Sequence, residues 1–361
     1  MKALGLDLGT TSLSAVVLET DSGVLAAKTV QNAAFLPGER WERTQNAEEI
    51  YAAALPLVQE LVCEHPEICA IGVTGQMHGI VYLDTDGRCL SPLYTWQDER
   101  AALPFNETES WAAHLSAVTG YPAAPGYGLA THYYNVHHGL VPETAACFCT
   151  IADFVAMRLA GRTSPLLDGS NAASLGLFDL QNGCFDKDAA EKAGLSPHLL
   201  PQVSKNAYLG TGAFKIPVYA AIGDNQAAFL GAVDDRKHTL LVNVGTGSQV
   251  AVSRPAIFRF PVWRPDPTPA AGIFLWVRRF AAAEATLCWK ISSARRSGSQ
   301  ADRISAFTAR WNARWMKPAK SPTHRKPLRS FRAHGKIRRF AEAFGASAAK
   351  ISRLCTSCTA S

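Results

Sequence analysis

Asp224 ends an apolar run and opens a helical pattern, within Gly223-Asp224-Asn225-Gln226-Ala227-Ala228. A carboxylate so placed suits a general base at a cleft, able to take the proton of a hydroxyl as its oxygen attacks a phosphoryl group. It equally suits the N-cap of the helix that follows. A second acid, Asp7, stands before the tight turn Gly9-Thr10-Thr11-Ser12. Small residues there free backbone N–H groups to cradle phosphate oxygens, and Asp7 could hold Mg²⁺ directly or through water; an ordinary hairpin fits as well. No Gly-Lys-Ser/Thr follows, so this is not the Walker type of loop. Asn243-Val244-Gly245-Thr246-Gly247-Ser248 repeats the same logic.

Three further stretches offer recognition chemistry. In Gly75-Gln76-Met77-His78-Gly79 the flanking glycines let directional donors and acceptors project into a cleft, as polyol hydroxyls require; a satisfied core histidine is the competing reading. Thr95-Trp96-Gln97-Asp98-Glu99-Arg100 reads either as sugar contact or as an ion-paired loop anchored by its tryptophan. Asp168-Gly169-Ser170-Asn171-Ala172-Ala173-Ser174 could line a site or merely turn the chain.

The elements that must position these groups alternate between sheet and helix. Apolar runs at 3–8, 13–18 and 24–30, parted by turns, predict a three-strand meander. Asn46, with Glu48 and Glu49 behind it, predicts a capped helix to about Cys63, with Pro56 inside it. Short strands are expected at 70–73, 80–83, 218–222 and 239–244, and helices over 150–159 and from 226. That alternation argues an α/β layered domain. The strand–turn–strand unit at 3–18 returns at 239–253, the echo that two duplicated halves would leave.

Charge divides the chain near residue 253. Residues 1–253 carry 14 Lys and Arg against 26 Asp and Glu, whereas 254–361 carry 22 against 4. The acidic part, judged alone, has no nucleic-acid footprint. Nine scattered cysteines form no framework beyond one isolated pair, Cys355 and Cys358, and fit a reducing cytoplasm. Asp7 interrupts the only stretch that could serve as a secretory signal, and no apolar run approaches the ~18 residues that span a bilayer. The expected location is cytoplasmic, and the oligomeric state is left open.

Taken together, LGLDLGTTS at 4–12, GVTGQMHG at 72–79, TWQDER at 95–100, SNAAS at 170–174, GDNQAA at 223–228 and VNVGTGS at 242–248 resemble the FGGY carbohydrate kinases. That family lies within the actin, hexokinase and Hsp70 ATPase superfamily. The GQMHG loop is similar to that of the xylulokinase and sedoheptulokinase branch. TIADFVAMRLAG (150–161) followed by LLDGSNAASLGLFD (166–179) is most similar to sedoheptulokinases. The resemblance implies an actin/hexokinase-like, ribonuclease H-like α/β fold and ATP-dependent phosphorylation of a ketose, with ATP and Mg²⁺ as cofactors. By the same resemblance Asp7 lies near the metal, and Gly9, Thr10 and Thr11 line the phosphates. Gln76, Met77, His78 and Asp98 contact the sugar, Asp224 is the base, and Gly245 and Thr246 face the γ-phosphate.

The likeness covers 1–253: a complete sugar-binding domain over 1–238 and the start of an ATP-binding domain over 239–253. Beyond Ser253 the family's glycine-rich nucleotide domain is not recognisable. Segments such as Arg325-Lys326-Pro327-Leu328-Arg329 stand there instead. This tail reads as the out-of-frame translation of a GC-rich gene, or as a disordered segment. A basic nucleic-acid-binding extension or a divergent second domain are the competing readings. The expectation is a kinase by descent with little activity as this chain. A non-catalytic sugar-binding remnant and a nucleic-acid-binding fusion are the alternatives from other classes.

Overall fold

Strand β1 (Lys2–Leu8) is buried along most of its length and lies between two neighbours in a seven-stranded sheet. It pairs antiparallel with β2 (Ser12–Glu19), which pairs antiparallel with β3 (Gly23–Gln31). This is the expected meander. The computed structural model describes residues 1–204, 206–233, 235, 239–244 and 247–254, and the strands at 263–268, 272–277 and 280–281.

Helix α1 (Ala47–Glu64) starts where Asn46 accepts the N–H groups of Glu48 and Glu49. It buries Ile50, Ala54, Leu57, Val58 and Leu61, one face at helical spacing. Pro56 sits on the exposed side, where water can meet the carbonyl it leaves unbonded, so the helix runs through it.

The chain then returns as β4 (Ile68–Gly75), parallel to β1 on the side away from β2. Helices α2 (Gly128–His137), α3 (Ile151–Leu159) and α4 (Gly169–Leu175) follow. Thr150 caps α3, accepting the N–H of Asp153. The sheet is completed by β5 (Tyr208–Gly210), β6 (Val218–Tyr219) and β7 (Ile222–Gly223). Both β6 and β7 run parallel to β4. One apolar core joins this sheet to α1, α2, α3 and α4.

A single strand was expected over 218–222, but the structure splits it at Ala220-Ala221. The split traces to two hydrogen bonds from distant parts of the chain. Asn171 Nδ2 donates to the carbonyl of Ala221, and Thr74 Oγ1 donates to that of Ile222, taking acceptors a continuous ladder would use. Helix α5 (Asp224–Ala232) begins two residues earlier than the sequence pattern suggested.

A second, five-stranded sheet begins with the hairpin of β8 (Leu240–Val244) and β9 (Gly247–Arg254), the expected echo of β1 and β2. Strands β10 (Trp263–Thr268), β11 (Gly272–Val277) and β12 (Phe280–Ala281) extend this sheet, with β11 pairing antiparallel to β9. Pro265 and Pro267 concealed β10 from the sequence reading. They are tolerated because β10 is an edge strand and two residues of like parity turn their missing N–H groups the same way. Residues 282–361, including Cys355 and Cys358, lie outside the described residues, so the readings of that part as out of frame, disordered or nucleic-acid-binding are untouched. Among the described residues no helix is long and apolar enough to cross a membrane.

Candidate sugar and phosphoryl-transfer site

The register of three parallel strands builds the site. Leu8 of β1 pairs with Gly75 of β4, and Gly75 pairs on its other side with Gly223 of β7. All three strands end on this line, so the turn at 9–11, the loop at 76–79 and the start of α5 emerge side by side. Two strand spacings, about 10 Å, separate the outer strands. Gly75 must be glycine for this approach, since a Cβ would lie 2.7 Å from the carbonyl oxygen of Leu8.

Asp7 is half-buried near the end of β1, and Asp224 is exposed. The cap residue of α5 is Gly223, not Asp224, so Asp224 is not consumed as the N-cap its sequence context allowed. Met77 is buried against Gly223, and its sulfur accepts Asn225 Nδ2 at 3.7 Å. It thus joins the loop 76–79 to the Asp224 turn.

Thr10 and Gln76 belong to one polar ring. Thr10 Oγ1 donates to Gln76 Oε1 at 3.4 Å, Gln76 Nε2 to Gln45 Oε1 at 2.9 Å, and Gln45 Nε2 to the carbonyl of Thr10 at 3.0 Å. The indole N–H of Trp96 donates to Thr10 Oγ1 at 3.0 Å. The Thr10 hydroxyl, expected among phosphates, is therefore turned toward Trp96 and Gln76. Asn32 fixes the same turn by donating its side-chain amide to the carbonyl of Gly9 and its backbone N–H to that of Thr11. Thr11 is exposed at its tip.

His78 has φ +74°, a left-handed conformation that costs a non-glycine residue free energy. Its Nδ1 lies 2.6 Å from the carbonyl oxygen of Ser174, which can only accept, so Nδ1 carries the proton. In the neutral ring this puts the lone pair on Nε2. The ring stacks on Tyr127 at 4.9 Å and 3°.

Asp98, expected at the sugar, is 1% exposed and receives Arg100 Nε at 2.6 Å, Arg100 Nη2 at 3.1 Å and the backbone N–H of Arg43 at 3.1 Å. Both carboxylate oxygens serve the loop itself, which is the ion-paired alternative the sequence left open. Gly245 and Thr246 lie outside the described residues.

Gln45 and Tyr127 were missed by the sequence reading, and only Tyr127 carried a signal, an aromatic set between glycines at 126 and 128. Ser174 lay in the 168–174 stretch that could line a site, without a role of its own. Beneath the site, the buried carboxylate of Asp153 accepts Thr150 Oγ1 at 2.6 Å and Asn171 Nδ2 at 3.2 Å. Burial outweighs these neutral donors and pushes its pKa up to about 7.

A parallel pair of strands beside a glycine turn, flanked by an antiparallel meander and packed on helices, gives an actin/hexokinase-like fold. The solved structure of xylulose kinase from Rhodospirillum rubrum superposes with a TM-score of 0.67 at 22% identity, covering 86% of this chain and 67% of that one. Glycerol kinase from Plasmodium falciparum, solved with ADP, gives 0.67 at 16% identity, covering 81% and 63%. The sequence model of the N-terminal domain of the FGGY family of carbohydrate kinases matches residues 2–241, and the chain belongs to that family. Mouse sedoheptulokinase is 31% identical over 318 residues, 76% of this chain. The chain spans 64% of the length of that relative.

Proposed function

We propose that this chain is the sugar-recognising part of an ATP-dependent kinase for a ketose of the sedoheptulose or xylulose type. The observation that carries the reading is the alignment of strand ends, which sets Asp7, loop 76–79 and an uncapping Asp224 along one edge. Gln76, Met77 and His78 order the ketose. Asp224 takes the proton of its terminal hydroxyl as that oxygen attacks the γ-phosphorus of ATP, and ADP leaves. Likeness to sedoheptulokinase and xylulose kinase supports the ketose class.

The donor set at the end of β1 fits Mg²⁺ brought in by nucleotide. Asp7 offers one hard oxygen ligand, and no cluster of three metal-binding side chains occurs among the described residues. When bound, the ion neutralises charge on the phosphates. Asp7 and the turn at 9–11 hold that end of the nucleotide, with Gly245 and Thr246 proposed opposite. Location in the cytoplasm is part of the same proposal.

Calorimetry on the full chain with sedoheptulose, xylulose and glycerol, beside a coupled ADP assay, tests this. A ketose is expected to bind in preference to glycerol, and Asp224→Asn to spare that binding. Ketose-dependent ADP formation is expected to stay more than about a hundredfold below ordinary enzyme turnover, because positioning and closure by a nucleotide domain supply most of the acceleration. Failure of every ketose to bind at millimolar concentration refutes the recognition reading. Turnover that Asp224→Asn leaves unchanged refutes the base.

A further inference from the structure

Helix α4 carries a serine that nothing in the family reading uses. Ser174 is fully buried, and two separate atoms of it hold His78. Its Oγ accepts the backbone N–H of His78 at 3.2 Å, and its carbonyl oxygen accepts Nδ1 at 2.6 Å. The serine proton is committed elsewhere, to the carbonyl of Asn171 at 2.7 Å, which leaves Oγ lone pairs for His78. The backbone and the ring of one left-handed residue are thus fixed by a single partner 96 positions away.

The partner is itself immobilised. Ser170, on the same helix, accepts the N–H of Gly223 and donates to Asp168. Asn171 donates to both Asp153 and the carbonyl of Ala221. On the far side of the loop, Gly128 of α2 packs so closely that a Cβ would lie 2.9 Å from the carbonyl oxygen of His78. Tyr127, stacked on the imidazole, precedes it. A strained residue persists only where its surroundings over-determine it, and such strain collects at ligand sites.

From this geometry we infer that Ser174 is a positioning residue. It holds His78 in the left-handed conformation and in the Nδ1–H tautomer, so that Nε2 accepts a hydroxyl of the substrate. The inference deepens the ketose-binding reading and rests on it for the identity of the ligand. The tautomer it specifies belongs to the ligand-free protein and can be read separately.

The test uses the full chain carrying ¹⁵N-labelled histidine. Two-bond ¹H–¹⁵N correlation spectra identify the His78 ring as the signal lost in His78→Gln. Wild-type protein is expected to show the neutral Nδ1–H form. Ser174→Ala keeps the carbonyl but removes the Oγ that anchors the loop N–H, so the ring is expected to shift off that carbonyl, giving averaged tautomers and about tenfold weaker sedoheptulose or xylulose binding, the scale of one hydrogen bond. Ser174→Thr restores the hydroxyl, and is expected to recover the wild-type ring signal and affinity to within about threefold. An unchanged His78 tautomer in Ser174→Ala overturns the inference, as does a lower melting temperature with the ring signal intact, which assigns Ser174 to packing. If wild-type protein binds neither ketose, the functional reading fails, and the ring spectra of the three proteins alone decide the role of Ser174.

Discussion

Two buried carboxylates, Asp98 and Asp153, lie in this domain and are solved in opposite ways. Asp98 is met by a guanidinium. Arg100 grips both its oxygens, sits 4.1 Å above the Tyr94 ring, and passes a hydrogen bond on to Asn135, which donates to the hydroxyl of Tyr82. Asp153 is met only by a hydroxyl and an amide, and so takes up a proton near neutrality. The difference separates scaffold from tuned site. The paired charge ties the 95–100 loop together, whereas burial without a cation raises the pKa of the acid beneath the Ala221 turn to about 7.

The largest expected effect comes from breaking the pair. Arg100→Met leaves a carboxylate buried without its cation and should cost about 3–5 kcal/mol, read as a shift in the urea midpoint of the full chain. Adding Asp98→Leu should return most of that loss, because two apolar residues can replace a buried ion pair at little net cost. A double variant no more stable than the single one would break the comparison.

Asp153→Asn sharpens it. Burial raises this carboxyl from 3.8 to about 7, so between those values the folded chain holds a proton the unfolded chain has released. Stability from this group is complete below pH ~4, falls by up to about 1.4 kcal/mol per pH unit as pH rises, and levels off above pH ~7. Urea titrations across that window should show Asp153→Asn gaining on wild type, reaching a few kcal/mol at pH 8. An unchanged difference between pH 4 and pH 8 would exclude a protonated Asp153.

A smaller effect of opposite sign belongs to His132, which is buried beside Tyr82 with Nδ1 2.7 Å from its hydroxyl. Burial lowers its pKa from 6.5 to about 4. Here the unfolded chain holds the extra proton, so stability is complete above pH ~6.5 and is lost as pH falls through that window. The two groups oppose one another between pH ~4 and ~6.5. His132→Gln should therefore unmask the falling slope of Asp153, and Asp153→Asn the rising slope of His132. Identical pH profiles for the two variants would show that neither group titrates as its burial demands.

What was legible in the sequence was whatever its own neighbours determine. Asp7 and Asp224 could be placed at strand ends because an apolar run and a glycine stand beside each, and Asn46 could be named a cap from its glutamates. Asp98 could be read as a sugar contact or as half of an ion pair, with Arg100 two residues away. The burial that closes their pair comes from Tyr94 and Asn135 on other elements. The break at Ala220-Ala221 and the hold of Ser174 on His78 depend on partners 50 or more positions distant, so no local pattern records them. Strand β10 was hidden by prolines that only an edge position excuses.

The line Leu8–Gly75–Gly223 bears on how such a protein diverges. Its strand ends share one register, so displacing any of them displaces the others, and a methyl group at residue 75 would push the acid-bearing strand away from its neighbour. The loop at 76–79 is locked to that line as well: Gln76 shares a polar ring with Thr10, Met77 packs on Gly223 and His78 is held by Ser174. A substitution there is therefore felt at all three strand ends, and the whole edge must change together or not at all.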